Sequence, residues 1–105
     1  MVRVRVNAGR ITGWESFHRV FREAMGFPGS YGDDMDAWID CMSNPGVLTR
    51  FPVESGDVLV IEVTRSIGFR GRCPEQFAEL VEGTAYVNLR CIEEGQSPLL
   101  ALVFA

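Results

Sequence analysis

The chain has 105 residues, of which 47% are hydrophobic and 23% are charged, so it fits a single globular domain over residues 1–105. Its net charge of −4 disfavours direct binding to nucleic acid or to an anionic membrane, and its three scattered cysteines disfavour a disulfide framework or a zinc site. No apolar run has the length of a membrane span and the N-terminus lacks a signal-peptide pattern, so we expect a cytoplasmic protein.

The first quarter of the chain predicts a strand and then a helix. Valines alternate with arginines over residues 2–6, which is the period-two pattern of an edge strand with one buried face. Apolar residues recur at helical spacing over residues 14–25, and Gly26 followed by Pro28 predicts where that helix ends. His18 lies beside the apolar stripe with no second histidine or nearby cysteine, which favours a structural or surface role.

Residues 27–42, FPGSYGDDMDAWIDCM, predict a turn followed by a short amphipathic helix. At about 100° per residue, Asp33, Asp36 and Asp40 fall on one side of this helix. The apolar side chains fall on the other side: Met35, Trp38, Ile39 and Met42. Asp33 or Asp34 can cap the amides at the helix start, where the helix dipole also favours negative charge. The helix therefore has an acidic face and a core face.

The rest of the chain predicts two more strands with helices between them. Residues 43–57 and 64–72 have the composition of loops, and residues 58–63, VLVIEV, predict a central strand covered on both sides. Pro74 begins a helix that Gly83 interrupts, and Thr84 caps a second helix that ends at Gly95. LLALVF at the end predicts a fully buried strand. This order of elements predicts an α/β fold, a small three-stranded parallel sheet with helices packed on it.

The negative charge is concentrated around the acidic helix. Residues 33–62 carry seven acids and one arginine, whereas residues 1–32 carry five arginines and two glutamates. A row of acids is most often only a solvated helix face, but it also suits binding to a basic cleft, where charge speeds association. Asp36 and Asp40, one turn apart, could instead act as acid and base or bind a metal. That pattern is weak because no histidine or third ligand accompanies the two aspartates.

The helix and the segments before it resemble the barstar family, whose members are intracellular inhibitors of a secreted bacterial ribonuclease. The resemblance runs without a gap over residues 11–42. It rests on Ile11, the pair Phe17 and His18, Pro28, the pair Tyr31 and Gly32, and the DAxxDC pattern from Asp36 to Cys41. Residues 59–63 also resemble the family's central strand, and an EG pair at residues 94–95 resembles the approach to its last strand.

The resemblance implies a protein inhibitor, not an enzyme, with no catalytic residues, no metal and no cofactor. In the family, the helix and the loop before it enter the ribonuclease active site, where carboxylates contact cationic groups. Asp40 matches the family's dominant anchor and Asp36 its second acid, while Tyr31 and Gly32 match the contacting loop. The implied partner is a cationic nuclease toxin, and the chain is expected to act as a monomeric immunity protein.

Several positions depart from the family pattern. Ser30 stands in place of the loop's first tyrosine, and Asp34 stands in place of an asparagine. The family's Leu-Trp pair is reversed in character, so Ile39 occupies the contact position and Trp38 is expected in the core. Arg90 stands where the family has a contacting glutamate, or the next residue does if the alignment shifts by one. These departures predict the same docking strategy against a different toxin.

The sequence leaves two alternatives open. One is an interaction module of the same fold that has lost nuclease inhibition and binds another cationic partner. The other is a small metal-dependent hydrolase that uses Asp36 and Asp40. Suppression of ribonuclease activity separates the leading hypothesis from the first alternative, and titration with divalent metals separates it from the second.

Overall fold

The computed structural model describes all 105 residues, and its centre is a three-stranded parallel sheet. The strands are β1 (Val2–Asn7), β2 (Leu59–Thr64) and β3 (Leu100–Phe104), in the order β1-β2-β3. The register pairs Val4 with Ile61 and Ile61 with Leu102. Parallel neighbours need long crossover connections, and both connections here contain helices. The predicted α/β architecture is confirmed.

β1 and β2 have the burial that their sequence patterns predict. In β1, Val4 and Val6 are buried while Arg3 and Arg5 are exposed, so one face of this edge strand meets the core. β2 is the central strand, and its apolar residues are buried along the whole strand. The half-buried carboxylate of Glu62 pairs with both arginines, at 3.2 and 2.7 Å. The one charge in the central strand is therefore neutralised by the neighbouring strand.

β3 is less buried than its apolar composition predicts. Leu100 is buried, but Val103 and Phe104 are 38% and 43% exposed. The prediction of a fully buried strand is therefore wrong. The reason is topological, because β3 pairs only with β2 and forms an edge of the sheet. An apolar run does not by itself distinguish an edge strand from a central one.

Five helices pack on the sheet. They are α1 (Trp14–Met25), α2 (Met35–Ser43), α3 (Pro45–Leu48), α4 (Ser66–Arg72) and α5 (Pro74–Glu93). α1 has the predicted bounds and ends at Gly26, whose φ of 70° is a left-handed conformation that glycine adopts without strain. The acidic helix of the sequence is α2. None of the five helices is both long enough and apolar enough to cross a membrane.

The two segments predicted as loops each contain a short helix, α3 in the first and α4 in the second. Two glycines weaken the local signal for α4. Tertiary contacts compensate, because Phe69 is fully buried and Arg72 donates hydrogen bonds to the main-chain oxygens of Ile11 and Ala8, at 2.9 and 3.0 Å. The loop prediction is wrong here because packing overrides local propensity.

α5 is one continuous helix, so the predicted interruption at Gly83 and the new start at Thr84 are wrong. Gly83 is buried where α2 packs on α5. A Cβ there would lie 3.0 Å from Cε of Met35 and 3.2 Å from Cζ3 of Trp38. The Thr84 hydroxyl donates to the carbonyl of Leu80 one turn earlier, at 2.8 Å, and caps nothing. Gly83 therefore allows close packing of the acidic helix on α5.

Candidate functional site

Tyr31 holds the loop before α2 from inside the protein. Its side chain is buried, its ring centroid lies 4.6 Å from that of Phe27, and its hydroxyl oxygen lies 2.6 Å from Nδ1 of His18. His18 is itself buried on α1, so of the structural or surface role that the sequence favours it has the structural one. Tyr31 was predicted from the resemblance to contact a partner, but in the free chain its ring faces the core. It positions the exposed loop residues on either side, Ser30 and Gly32.

Burial changes the titration of both members of this pair. Burial lowers the pKa of His18 below its ordinary value of 6.5, although the charges of Asp33 and Asp34 oppose the shift. Burial also raises the pKa of Tyr31 well above its ordinary value, and Asp33 adds to that effect. At neutral pH His18 is therefore uncharged and Tyr31 is protonated. The two rings share one neutral hydrogen bond, whose donor depends on the tautomer of His18.

The first two aspartates are engaged within the chain. Asp33 pairs with Arg22 near the end of α1, and its φ of 54° is a left-handed conformation that aspartate tolerates. Asp34 caps α2, because its carboxylate accepts a hydrogen bond from the amide of Ala37 at 2.7 Å. The Arg22 guanidinium also lies 5.6 Å from the ring centroid of Tyr31. The start of α2 is thus attached to α1 through Asp33 and Tyr31, which both contact Arg22.

The two aspartates predicted as anchors, Asp36 and Asp40, form what we call the acidic surface. Asp36 is exposed, and its carboxylate has no ion pair or hydrogen bond within the chain. The side chain of Asp40 is 67% exposed. Helical residues four apart are neighbours, with Cβ atoms about 5–6 Å from each other. The surface therefore presents two neighbouring carboxylates to solvent.

Arg90 adjoins the acidic surface from α5. Its Nη1 lies 3.4 Å from Oδ1 of Asp40, and its guanidinium carbon lies 5.8 Å from the ring centroid of Tyr86, one turn earlier. Arg90 and Asp40 are 50 residues apart in the sequence, so no local pattern links them. Only the family resemblance indicated that Arg90 belongs to the site, because it put Arg90 at a contact position. Nothing in the sequence indicated that Tyr86 belongs to it.

The residues that follow Asp36 on α2 show which side of this helix faces the core and which side faces solvent. Trp38 is fully buried, as predicted, and its ring meets that of Phe21 edge to face with centroids 5.7 Å apart. Ile39 is half-buried at the margin of the core and remains open on its other side. Cys41 is buried, and burial together with the charge of Asp40 raises the pKa of its thiol, which makes it a poor nucleophile.

The arrangement has the chemistry to bind a positively charged group. Asp34 caps the helix and Asp33 pairs with an arginine. Asp36 and Oδ2 of Asp40 remain for an external partner, since Oδ1 of Asp40 pairs with Arg90. Carboxylates form their strongest hydrogen bonds with guanidinium and ammonium groups. No group of three or more histidine, cysteine or acidic side chains is placed to hold a metal ion.

The fold and the site together define a small α/β protein with two exposed carboxylates on one helix. The family described as Barstar (barnase inhibitor) matches residues 1–102, so the chain belongs to the barstar family. The match extends the resemblance seen over residues 11–42 to almost the whole chain. Family membership supports a ribonuclease-inhibitor-like protein and fits a protein that is not an enzyme. None of the curated proteins compared with the chain matches it.

Proposed function

We propose that this chain is a bacterial immunity protein that inhibits a nuclease toxin, in the first instance a secreted ribonuclease. In this proposal α2 and the loop before it enter the active site and exclude the substrate. Family membership supports the class of protein, and the acidic surface supports the mechanism. The inhibitor would act in the cytoplasm as a monomer without a cofactor, where it protects the cell from its own toxin.

The proposal rests most on the exposed pair Asp36 and Asp40. A ribonuclease binds a polyanion, so its active site presents cations to the phosphates of RNA. Two carboxylates one helical turn apart offer those cations substitute negative charges. The close packing of Trp38 on Gly83 gives the two carboxylates a fixed support. The main chain that carries them is therefore fixed before the partner arrives, which reduces the entropy lost on binding.

The residues around the acidic surface have smaller proposed roles. Ser30, Gly32 and Asp34 are exposed in the segment that leads into α2, and they would contact the rim of the active site. Ile39, half-buried, would add an apolar contact. Tyr31 would act through the loop, because its hydrogen bond to His18 fixes the main chain at that end. Binding energy is expected to be concentrated in the two aspartates, because their carboxylates would form charge-assisted hydrogen bonds with the cations of the partner.

Inhibition assays test the proposal. Barnase and a panel of secreted bacterial ribonucleases would be titrated with the parent chain, Asp36→Ala, Asp40→Ala and Glu15→Ala. Because an unpaired cation is left buried in the complex, Asp40→Ala should weaken inhibition by about a hundredfold or more, and Asp36→Ala by less. Glu15→Ala is the control, since it also removes one negative charge but lies on α1 with its side chain 95% exposed. It should change inhibition by less than about twofold.

The proposal fails if the parent chain slows no ribonuclease at micromolar concentration, or if Asp40→Ala inhibits as strongly as the parent. Binding that depends on Asp40 but leaves RNA cleavage intact would identify an interaction module that has lost inhibition. Calorimetric titration with magnesium, manganese and calcium tests the remaining alternative. Millimolar binding that Asp36→Ala abolishes would support a metal-dependent hydrolase instead.

A further inference from the structure

Arg90 adjoins Asp40, the residue that the proposed function assigns to a cation of the partner. Its Nη1 lies 3.4 Å from Oδ1 of that aspartate, whereas Oδ2 has no partner within the chain. A cation that binds Oδ2 is therefore held beside a second positive charge. Asp40 alone would accept any cationic group. Asp40 and Arg90 together present a negative and a positive charge side by side, so a partner must match both.

Tyr86 restrains Arg90 from its other side. The two residues are four apart on α5, where side chains at this spacing are neighbours. The guanidinium carbon lies 5.8 Å from the centroid of the Tyr86 ring, within the range of a cation–π contact. Tyr86 is 52% exposed, so this contact lies at the protein surface and not in the core. The guanidinium is thus held between an aspartate and an aromatic ring.

We propose that Arg90 is a specificity-determining residue of the inhibitor. It disfavours a nuclease whose active-site rim is uniformly cationic, and it favours one that presents a carboxylate beside the cation that binds Asp40. This inference rests on the proposed function. Two like charges about 5 Å apart on side chains exposed to water repel by about one to two times the thermal energy. A partner carboxylate at the same place forms a charge-assisted hydrogen bond with the guanidinium instead.

Barnase is a suitable probe, because as a ribonuclease it must present cations at its active site. Dissociation constants for barnase would be measured with the parent chain, Arg90→Ala and Arg90→Glu at constant salt. Arg90→Ala should tighten binding by about threefold, and Arg90→Glu by at least about tenfold. The matched control is Arg70→Glu, which makes the same change of charge on α4, where the guanidinium lies over Phe77. It should alter affinity by less than about twofold.

Combination with Asp40→Ala separates this inference from the proposed function. Arg90 and Asp40 act through one contact, so the gain from Arg90→Ala should disappear when Asp40 is alanine. The inference is overturned if both Arg90 variants bind barnase within twofold of the parent, more weakly, or not at all. Loss of inhibition by Asp40→Ala with no effect of Arg90 would retain the proposed function and reject the inference. Full inhibition by Asp40→Ala would reject the proposed function.

For a second nuclease, Arg90→Glu should change the affinity in the opposite direction. A panel nuclease that the parent inhibits more strongly than barnase should bind Arg90→Glu at least about tenfold more weakly, because its carboxylate would then face another carboxylate. Tighter binding of Arg90→Glu there would contradict the inference. The exposed position of Arg90 makes misfolding unexpected. Arg90→Gln nevertheless provides a second variant that removes the charge at similar size.

Discussion

The two ends of the surface formed by the loop and α2 are held in opposite ways. At the loop end, Tyr31 and His18 are 7% and 4% exposed and share a hydrogen bond of 2.6 Å. At the other end, the side chains of Asp40 and Arg90 are 67% and 42% exposed and lie 3.4 Å apart. Loss of a buried hydrogen bond is costly, whereas an exposed ion pair contributes little to stability. The buried pair at the loop end therefore fixes the shape of this surface, and the exposed pair at the helix end sets the charge that a partner meets.

Trp38 lies between the two ends and supports α2 from both sides, because it packs on Gly83 of α5 and on Phe21 of α1. If shape and charge are divided in this way, substitutions should destabilise the fold in a definite order. Loss of the packing around Trp38 should lower the free energy of unfolding most. Loss of the buried pair at the loop end should lower it less, and loss of the exposed pair at the helix end least. Binding should follow a different order, because the exposed pair faces the partner.

Trp38→Ala should have the largest effect, because it removes the support of both ends. The side chain is fully buried, and its loss should lower the free energy of unfolding by about 3–5 kcal/mol. Urea unfolding followed by circular dichroism measures this change. Trp38→Phe is the control, since it keeps a ring against Phe21 and removes an indole N–H that is buried without a partner. An equal loss in both variants would contradict the proposed support.

Tyr31→Phe tests the loop end. The substitution keeps the ring but leaves Nδ1 of His18 buried without its partner, so the free energy of unfolding should fall by about 1–3 kcal/mol. Tyr86→Phe is the matched control, because it removes the hydroxyl of a tyrosine that is 52% exposed and should cost less than about 0.5 kcal/mol. Urea denaturation midpoints compare the two. Equal costs would show that the buried hydrogen bond does not hold the loop.

The parts of the site with a strong local period could be predicted from the sequence. The helical repeat alone separates Asp36 and Asp40 from Trp38, and the structure agrees that the first two are exposed and the third is buried. The role of Gly83 could not be predicted in this way. A glycine in a helix either ends it or makes room for a neighbour. The choice here depends on α2, which ends forty residues earlier in the chain.

Contacts between distant residues were the other part that the sequence could not provide. Tyr31 faces inward because His18, 13 residues earlier, lies on the adjacent helix. Arg90 meets Asp40 across 50 residues. The family resemblance identified these positions as important, but it could not tell whether a side chain faces the core or solvent. That depends on the packing of α1 and α5 around α2.

A change of pH tests the buried His18 at the loop end without a substitution on the protein surface. Because burial lowers the pKa of His18 below 6.5, the unfolded chain takes up the proton first as the pH falls. The contribution of His18 to stability is therefore complete above pH 6.5 and decreases below it, until the pKa in the folded state is reached. Hydrogen bonding to Arg5 lowers the pKa of Glu62 below 4.5, so this carboxylate loses its contribution only at lower pH.

Urea unfolding at a series of pH values between 7 and 5 measures this effect. The free energy of unfolding should decrease through the interval in the parent chain. In His18→Gln it should be smaller at neutral pH but nearly constant across the same interval, because the titrating group is gone. A parallel decrease in both proteins would assign the effect to other groups.

Arg90→Gln should have the smallest effect on stability. It therefore tests most directly whether the exposed pair at the helix end contributes little to the fold. Its ion pair with Asp40 is exposed and screened by salt, so the free energy of unfolding should change by about 0–1 kcal/mol. Arg22→Gln is the informative comparison, since Arg22 also pairs with an exposed aspartate but lies over the Tyr31 ring as well. It should cost more than Arg90→Gln in urea unfolding at low and high salt. If Arg90→Gln costs as much as Tyr31→Phe, Arg90 is part of the fold's support, and the division between shape and charge fails.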